Sequence, residues 1–260
     1  MITDYISLQG LRRTNEDKHN ALLKKDNNSH VNFFGVYDGH GGNKVSTFLS
    51  KNAPSYFIDK RIKYPLSKTY VHKVFNHLQD VLRNDHKNFS YNSGSTCLIA
   101  INFKKDNNEY LNVLNVGDSR CVLCRNNMAI SLTKDHKPHW PEESVRINQL
   151  GGKIYYDGDD WRINDLSVSR AFGDIDANPH VTHTPELFRY KIDKGDKFVI
   201  LACDGLWDVV SNQEAVNFVI SNCYNSKFKL ENKKIARKLA EYAIKKGSTD
   251  NVTVIVSFFK

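Results

Sequence analysis

Four short segments set carboxylates against glycine or turn-forming residues: Asp38-Gly39-His40-Gly41-Gly42, Gly117-Asp118-Ser119-Arg120, Asp204-Gly205-Leu206-Trp207-Asp208 and Thr249-Asp250-Asn251. Apolar runs flank three of them. Val31 to Tyr37 precedes Asp38, Phe198 to Cys203 precedes Asp204, and Val252 to Val256 follows Asp250. The segments therefore read as strand ends that bring their carboxylates to one place. Acidic side chains gathered in this way repel one another unless hard cations lie between them, which points to Mg²⁺ or Mn²⁺.

Near the start of the chain, Gly10-Leu11-Arg12-Arg13-Thr14-Asn15-Glu16-Asp17 adds a guanidinium four residues before a Glu-Asp pair. Such a group can grip two phosphate oxygens at once. The series continues through Ser93-Gly94-Ser95-Thr96, Asp135-His136-Lys137-Pro138 and Ser169-Arg170-Ala171-Phe172-Gly173-Asp174. In this order, from about Tyr5 to Phe258, the blocks resemble the PPM family of metal-dependent serine/threonine phosphatases, the protein phosphatase 2C type.

The resemblance implies an α+β fold, a four-layer α-β-β-α sandwich with two mainly antiparallel sheets flanked by helices. It also implies hydrolysis of phosphoserine and phosphothreonine in phosphoprotein substrates by water activated at a pair of metal ions. Asp38 would bridge the two ions, the Gly39 carbonyl would join one, and Asp204 and Asp250 would hold the other. Glu16 would act through metal-bound water and Asp17 through hydrogen bonding, while Asp118 and Asp208 match positions linked to a weaker third ion. Arg12 would bind the substrate phosphate, and His40 would be the general acid.

Each block also has a plainer explanation. Asp-Gly and Gly-Gly pairs commonly mark turns, and Glu16-Asp17 could be solvated surface. His136 and His139 could mimic a zinc pair, but no further nitrogen or sulfur cluster accompanies them. Asp135, His136, Arg170 and Asp174 are expected to fix loops around the site. Cys121 and Cys124 form a CxxC string inside an alternating strand, where residues three apart face opposite ways, so buried hydrophobic roles fit better than metal or redox chemistry.

The elements that must position these residues can be read in outline. Strands are expected at 31–37, 95–103, 110–116, 120–125, 128–132, 197–203 and 252–259, with Asn126-Asn127 as a tight hairpin turn. Helices are expected over about 44–56 and 67–88, from Pro141 to Gly151-Gly152, after the capping box Ser211-Asn212-Gln213-Glu214, and in a basic segment near the C-terminus. There Ile235, Leu239 and Tyr242 give an apolar stripe, with Lys227, Lys229, Lys233, Lys234, Arg237, Lys238, Lys245 and Lys246 around it.

At 260 residues the chain fits one catalytic domain covering 1–260, with a core that removes roughly three quarters of the unfolded surface from water. The region at about 140–185 corresponds to the family's flap. Its Asp157-Gly158 turn carries Asp159 and Asp160, expected to attract phosphopeptides with basic flanks, and Asn164 stands where the family usually has glycine. The last strand is expected to reach Phe259, with no regulatory extension at either end.

No run approaches the ~20 apolar residues of a membrane span, and Met1-Ile2-Thr3-Asp4 lacks the features of a secretory signal. Five cysteines without framework spacing argue against a disulfide scaffold, so a cytoplasmic or nuclear setting is expected. A noncatalytic binding protein that retains the phosphatase fold is the first alternative reading. The net charge of +8 keeps a basic two-metal phosphodiesterase acting on nucleic acid open as the second, against which the family resemblance counts. The residues do not specify an oligomeric state.

Overall fold

The computed structural model describes residues 1–23, 31–224 and 234–259. Two five-stranded antiparallel sheets form the centre. One has the order Ile2–Leu8, Val252–Phe258, Asp196–Ala202, Arg120–Arg125, Met128–Ser131. The other runs Glu186–Lys191, Asn108–Val116, Cys97–Lys105, Asn32–Tyr37, Lys18–Leu22.

The period-two alternation of these strands creates three apolar layers. Phe34, Val36, Leu98, Val113, Leu123, Leu201 and Ile255 meet between the sheets. Val122, Phe198, Ile200 and Val254 face the helices Asn212–Cys223 and Ile235–Lys245 through Val216, Val219 and Leu239. On the far side, Phe33, Ile99 and Leu114 meet Leu49, Phe75 and Leu78 of the helices Lys44–Asn52 and Lys68–Asp85. This is the four-layer sandwich that the resemblance implied. The CxxC string follows the same rule, since Cys121 lies between the sheets and Cys124 under the helices, both as free thiols.

The differences from the sequence expectations have local causes. The expected 44–56 helix ends at Asn52 and resumes as the single turn Ser55–Ile58, because Pro54 has no N–H to continue the ladder. The next helix stops at Asp85, and Lys87–Ser90 forms a separate turn. Strands Ile2–Leu8, Lys18–Leu22 and Glu186–Lys191 were not expected. All three are edge strands whose residues are mostly half-buried or exposed, so their apolar signal is weak.

Ser211 caps its helix by accepting from the Glu214 N–H (3.3 Å). The Glu214 carboxylate does not close the expected box. It accepts instead from Lys246 Nζ (2.8 Å) and the Tyr242 hydroxyl (2.5 Å), joining two helices. Of the basic C-terminal face, Lys227, Lys229 and Lys233 lie outside the described residues.

The flap has its own small core of Ile147, Ile163, Val168, Ala171, Ala177 and Val181. Helix Pro141–Gln149 opens it, and Glu143 from that helix is 3% exposed. Its carboxylate accepts from Ser169 Oγ (2.8 Å), Arg146 (2.9 Å) and the Arg170 guanidinium. Burial would raise its pKa, but the hydrogen bonds and charge of Arg170, with Ser169 and Arg146, outweigh burial and lower it to about 2.

Glu143→Gln leaves two partly buried guanidiniums without their counter-ion, which should cost about 3 kcal/mol. The wild-type advantage should be complete above the unfolded value of 4.5 and lost as pH falls towards about 2. Urea midpoints of both proteins across pH 2 to 7 check this, and parallel curves for the two would contradict it.

Candidate active site

The strand ends converge at one edge of the sandwich. Asp38 directly follows Asn32–Tyr37, and Thr96 fixes it there: its N–H donates to Thr96 Oγ1 (3.1 Å) and its carbonyl accepts from the Thr96 N–H (2.8 Å). Asp118 occupies the turn between Asn108–Val116 and Arg120–Arg125. Asp204 begins the short helix Asp204–Trp207 just beyond Asp196–Ala202, and Asp250 lies two residues before Val252. Arg12, Glu16, Asp38, Gly39, His40, Asp118, Asp204, Asp208 and Asp250 all line one cleft of about 690 Å³.

Carboxylate oxygens of Asp38, Asp118 and Asp204 lie within 4.8 Å of one another. At a protein-like effective dielectric, each ionised pair at that separation costs about 3 kcal/mol. Burial, reinforced by Asp204, Asp17 and Asp118, holds the Asp38 carboxyl well above the usual carboxylate range. Burial with Asp118 and Asp208 does the same to Asp204. Asp208 is raised to about 6, first by burial. The donor set is oxygen-rich and charge-crowded, which suits a hard divalent cation.

Asp17 stands behind the cleft wall, 3% exposed, and accepts from the Thr253 hydroxyl (2.6 Å). Burial raises it to about 6. Its oxygen, one from Asp38 and the Cys203 sulfur form a second close group. The Glu16 carboxylate is engaged too, accepting from the Gly42 N–H (2.9 Å) and the Thr14 hydroxyl (3.2 Å).

Asn251 organises this N-terminal loop. Its amide donates to the Gln9 and Thr14 carbonyls (2.8 and 2.9 Å), and its oxygen accepts from the Glu16 N–H (2.8 Å). Gly10, at φ +62°, lets the loop pass against the Asp250 carbonyl where a Cβ would collide. Arg12 is thereby brought over Asp250, to which its guanidinium donates at 2.6 Å while remaining 59% exposed.

His40 lies in a small three-stranded sheet of Gly39–His40, Gly94–Ser95 and Phe172–Gly173. Its Nε2 is 2.7 Å from Asp174 Oδ2. Burial would lower the imidazole pKa, but the charge and hydrogen bond of Asp174 outweigh it and raise it. Asp174 is therefore the partner of His40 as well as a loop residue, a role the sequence reading missed. Gly94 is the signal that could have suggested it, because a side chain there would collide with both groups. Gln79 extends the support, exchanging two 2.9 Å hydrogen bonds with the Gly173 backbone.

The hairpin Tyr155–Tyr156/Trp161–Arg162 walls the cleft through Asp159, Asp160 and Arg162. Its acidity is less available than the sequence suggested. Asp157 accepts from the Asp159 and Asp160 N–H groups (both 2.9 Å) and pairs with Arg162, while Asp160 lies 3.5 Å from Lys137. Only the Asp159 carboxylate has no such partner among the described residues, which weakens the expected attraction for basic phosphopeptides. Asn164 does adopt the left-handed region at φ 48°, as the glycine replacement required. His136 is structural: its Nδ1 accepts from the Gly117 N–H (3.0 Å).

Two packed antiparallel sheets between helices, with hard oxygen donors crowded at one edge, define the fold and site of the metal-dependent serine/threonine phosphatases. The protein phosphatase 2C family model matches residues 3–252, and the chain belongs to that family. A PP2C-like domain-containing protein of Acanthamoeba polyphaga mimivirus is 50% identical over 170 residues, covering 58% of this chain and 95% of that protein. Probable protein phosphatase 2C 7 of Oryza sativa subsp. japonica is 36% identical over 264 residues, covering 100% of this chain and 66% of its own. The chain spans from 50% to 79% of the length of the plant relatives it matches.

Among solved structures, serine-threonine phosphatase 2C from Toxoplasma gondii shares the fold at TM-score 0.79 and 23% identity, covering 99% of this chain and 94% of that one. A C. elegans sex determining protein does so at TM-score 0.86 and 24% identity, over 100% and 65%. No helix among the described residues is long and apolar enough to cross a membrane.

Asp204→Asn removes a charge that its neighbours oppose, so in chelator the variant should melt roughly 2–4 °C above wild type, the shift expected for about 1 kcal/mol in a chain of this size. In excess Mn²⁺ the order should reverse, because the weakened site gains less from ligand binding. Melting curves in both conditions check this. A variant less stable than wild type in chelator would contradict the repulsive reading of the cluster.

Proposed function

We propose that the cleft hydrolyses phosphoserine and phosphothreonine monoesters in proteins with two divalent cations, Mg²⁺ or Mn²⁺. Asp38, the Gly39 carbonyl, Asp204 and Asp250 would hold them. Glu16 and Asp17 act indirectly, which fits the existing hydrogen bonds of both carboxylates. Asp118 and Asp208 are candidates for a weaker third ion. The observation that carries this reading is the crowding of Asp38, Asp118 and Asp204 within 4.8 Å, which is costly without cations.

Divalent ions held by these residues would supply an activated water nucleophile at neutral pH and charge neutralisation for the phosphoryl oxygens. The chain's own side chains do the rest. Arg12 has one donor committed to Asp250 and is otherwise exposed, so its remaining N–H groups can orient a phosphate at the cleft mouth. His40, whose protonated form Asp174 favours through Nε2, would use Nδ1 to donate a proton to the departing serine or threonine oxygen. Asp174 in turn holds the ring orientation, and Gln79 holds the backbone that carries Asp174.

The test is hydrolysis of a phosphothreonine peptide, an aryl phosphate and a nucleic-acid substrate, each with Mn²⁺, with Mg²⁺ and with chelator. Metal-dependent turnover of the peptide supports the reading. Turnover of nucleic acid alone would favour the phosphodiesterase, and none at all the binding protein. His40→Gln should slow the peptide roughly 10²- to 10⁴-fold and the aryl phosphate far less, since an activated leaving group needs little protonation. Equal slowing of both would reassign His40 to positioning.

A further inference from the structure

Among the four carboxylates Asp118, Asp160, Asp204 and Asp208 lies one ammonium, that of Lys137. Its Nζ is 2.6 Å from Asp118 Oδ2 and 3.5 Å from Asp160 Oδ2. The lysine side chain is 16% exposed and that of Asp118 is 2% exposed, so this pair is far from an ordinary surface salt bridge. Burial alone would favour the neutral amine. The charges of Asp118, Asp204 and Asp160 overcome that and hold it as the cation.

Both ends of the Lys137–Asp118 contact are fixed before any ion arrives. The His136 N–H donates to the Gly117 carbonyl (3.1 Å), and the Gly117 N–H donates to His136 Nδ1 (3.0 Å). The residue preceding Lys137 is thus bonded on both sides to the residue preceding Asp118. On the flap side, Asp160 is held in its turn by the Trp161 N–H (2.7 Å), and the Trp161 ring packs against His139 at 5.9 Å between centroids. The hairpin therefore meets the Lys137 loop at two points, one ionic and one aromatic.

We propose that Lys137 is a built-in monovalent cation that occupies the Asp118 side of the cluster and latches the hairpin through Asp160, so that uptake of a further divalent ion and opening of the hairpin are linked. This rests on the reading of the cluster as a divalent-cation site. A divalent ion at Asp118 and Asp208 must displace the ammonium from Asp118, because the two cations repel and compete for the same oxygen. Displacement withdraws the partner of Asp160 and loosens the cleft wall. By reciprocity, whatever holds the hairpin closed weakens binding of that ion.

The test is Mn²⁺ titration of the whole protein, read as bound ions and affinities, alongside amide hydrogen exchange of residues 155–162. Wild type, Lys137→Met and Asp160→Asn are compared. Lys137→Met should take up one more Mn²⁺ at concentrations where wild type does not, with affinity for that ion tighter by about tenfold or more, as removal of an adjacent unit charge implies. Its hairpin should exchange fast with or without Mn²⁺, whereas the wild-type hairpin should speed up only at high Mn²⁺. Asp160→Asn should free the hairpin and, by the same reciprocity, tighten the further ion, but by less than Lys137→Met does, because the ammonium stays with Asp118.

Equal Mn²⁺ uptake by wild type and Lys137→Met, or a hairpin unmoved in both variants, would overturn this inference and leave the metal reading standing. A wild type that binds no Mn²⁺ would overturn both. If Lys137→Met does not fold, exchange in wild type across the Mn²⁺ titration and in Asp160→Asn decides: a hairpin indifferent to both defeats the latch.

Discussion

Like charges held close at the rim of an apolar sandwich set the terms for everything around them. Asp38, Asp118 and Asp204 cannot be ionised together at 4.8 Å without compensation. The protein supplies part of it with Lys137, shares hydrogen bonds and protons for another part, and leaves a remainder that divalent ions suit. Rigidity follows from the same constraint. Strand ends bonded into two sheets can hold repelling groups in place, whereas a loop carrying them would relax outwards.

The rigidity is not uniform. Asp38, Asp118 and Asp204 rise directly from buried strands or the turns between them. Arg12 and His40 depend on side-chain stitching, through Asn251 in one case and through Asp174 and Gln79 in the other. The groups proposed to meet the ions thus stand on the frame, and those proposed to meet the substrate stand one hydrogen bond away from it.

Asp38, Asp204 and Asp250 were legible because each abuts an apolar run that reads as a buried strand, and the order of the acidic blocks along the chain carries the family resemblance. The central strands followed for the same reason. Ile2–Leu8, Lys18–Leu22 and Glu186–Lys191 did not, since an edge strand with one wet side needs little apolar residue content. Pro54 was visible in the sequence, yet the apolar pattern runs across it and masked the break. Partnerships between distant residues were the least readable. Nothing near Asp174 in sequence announces His40, nothing near Asp160 announces Lys137, and Glu214 satisfied the local capping pattern while its carboxylate went to another helix.

The first and last strands of the described chain are neighbours: Ile2 pairs with Phe258 and Leu8 with Val252. Arg12 and Asp250, 238 positions apart, end within hydrogen-bonding distance as a result. A growing polypeptide can form the Lys18–Leu22 to Glu186–Lys191 sheet, and even bring Asp38 to Asp118, well before synthesis is finished. It cannot seat the N-terminal loop until Asn251 and the strand after it have left the ribosome. Closing so long a loop is entropically the slowest kind of contact to make. Within these two sheets the N-terminal loop is thus among the last pieces to be seated, and a nascent chain stalled short of residue 250 would carry most of the described core without the contacts that hold Arg12 in place.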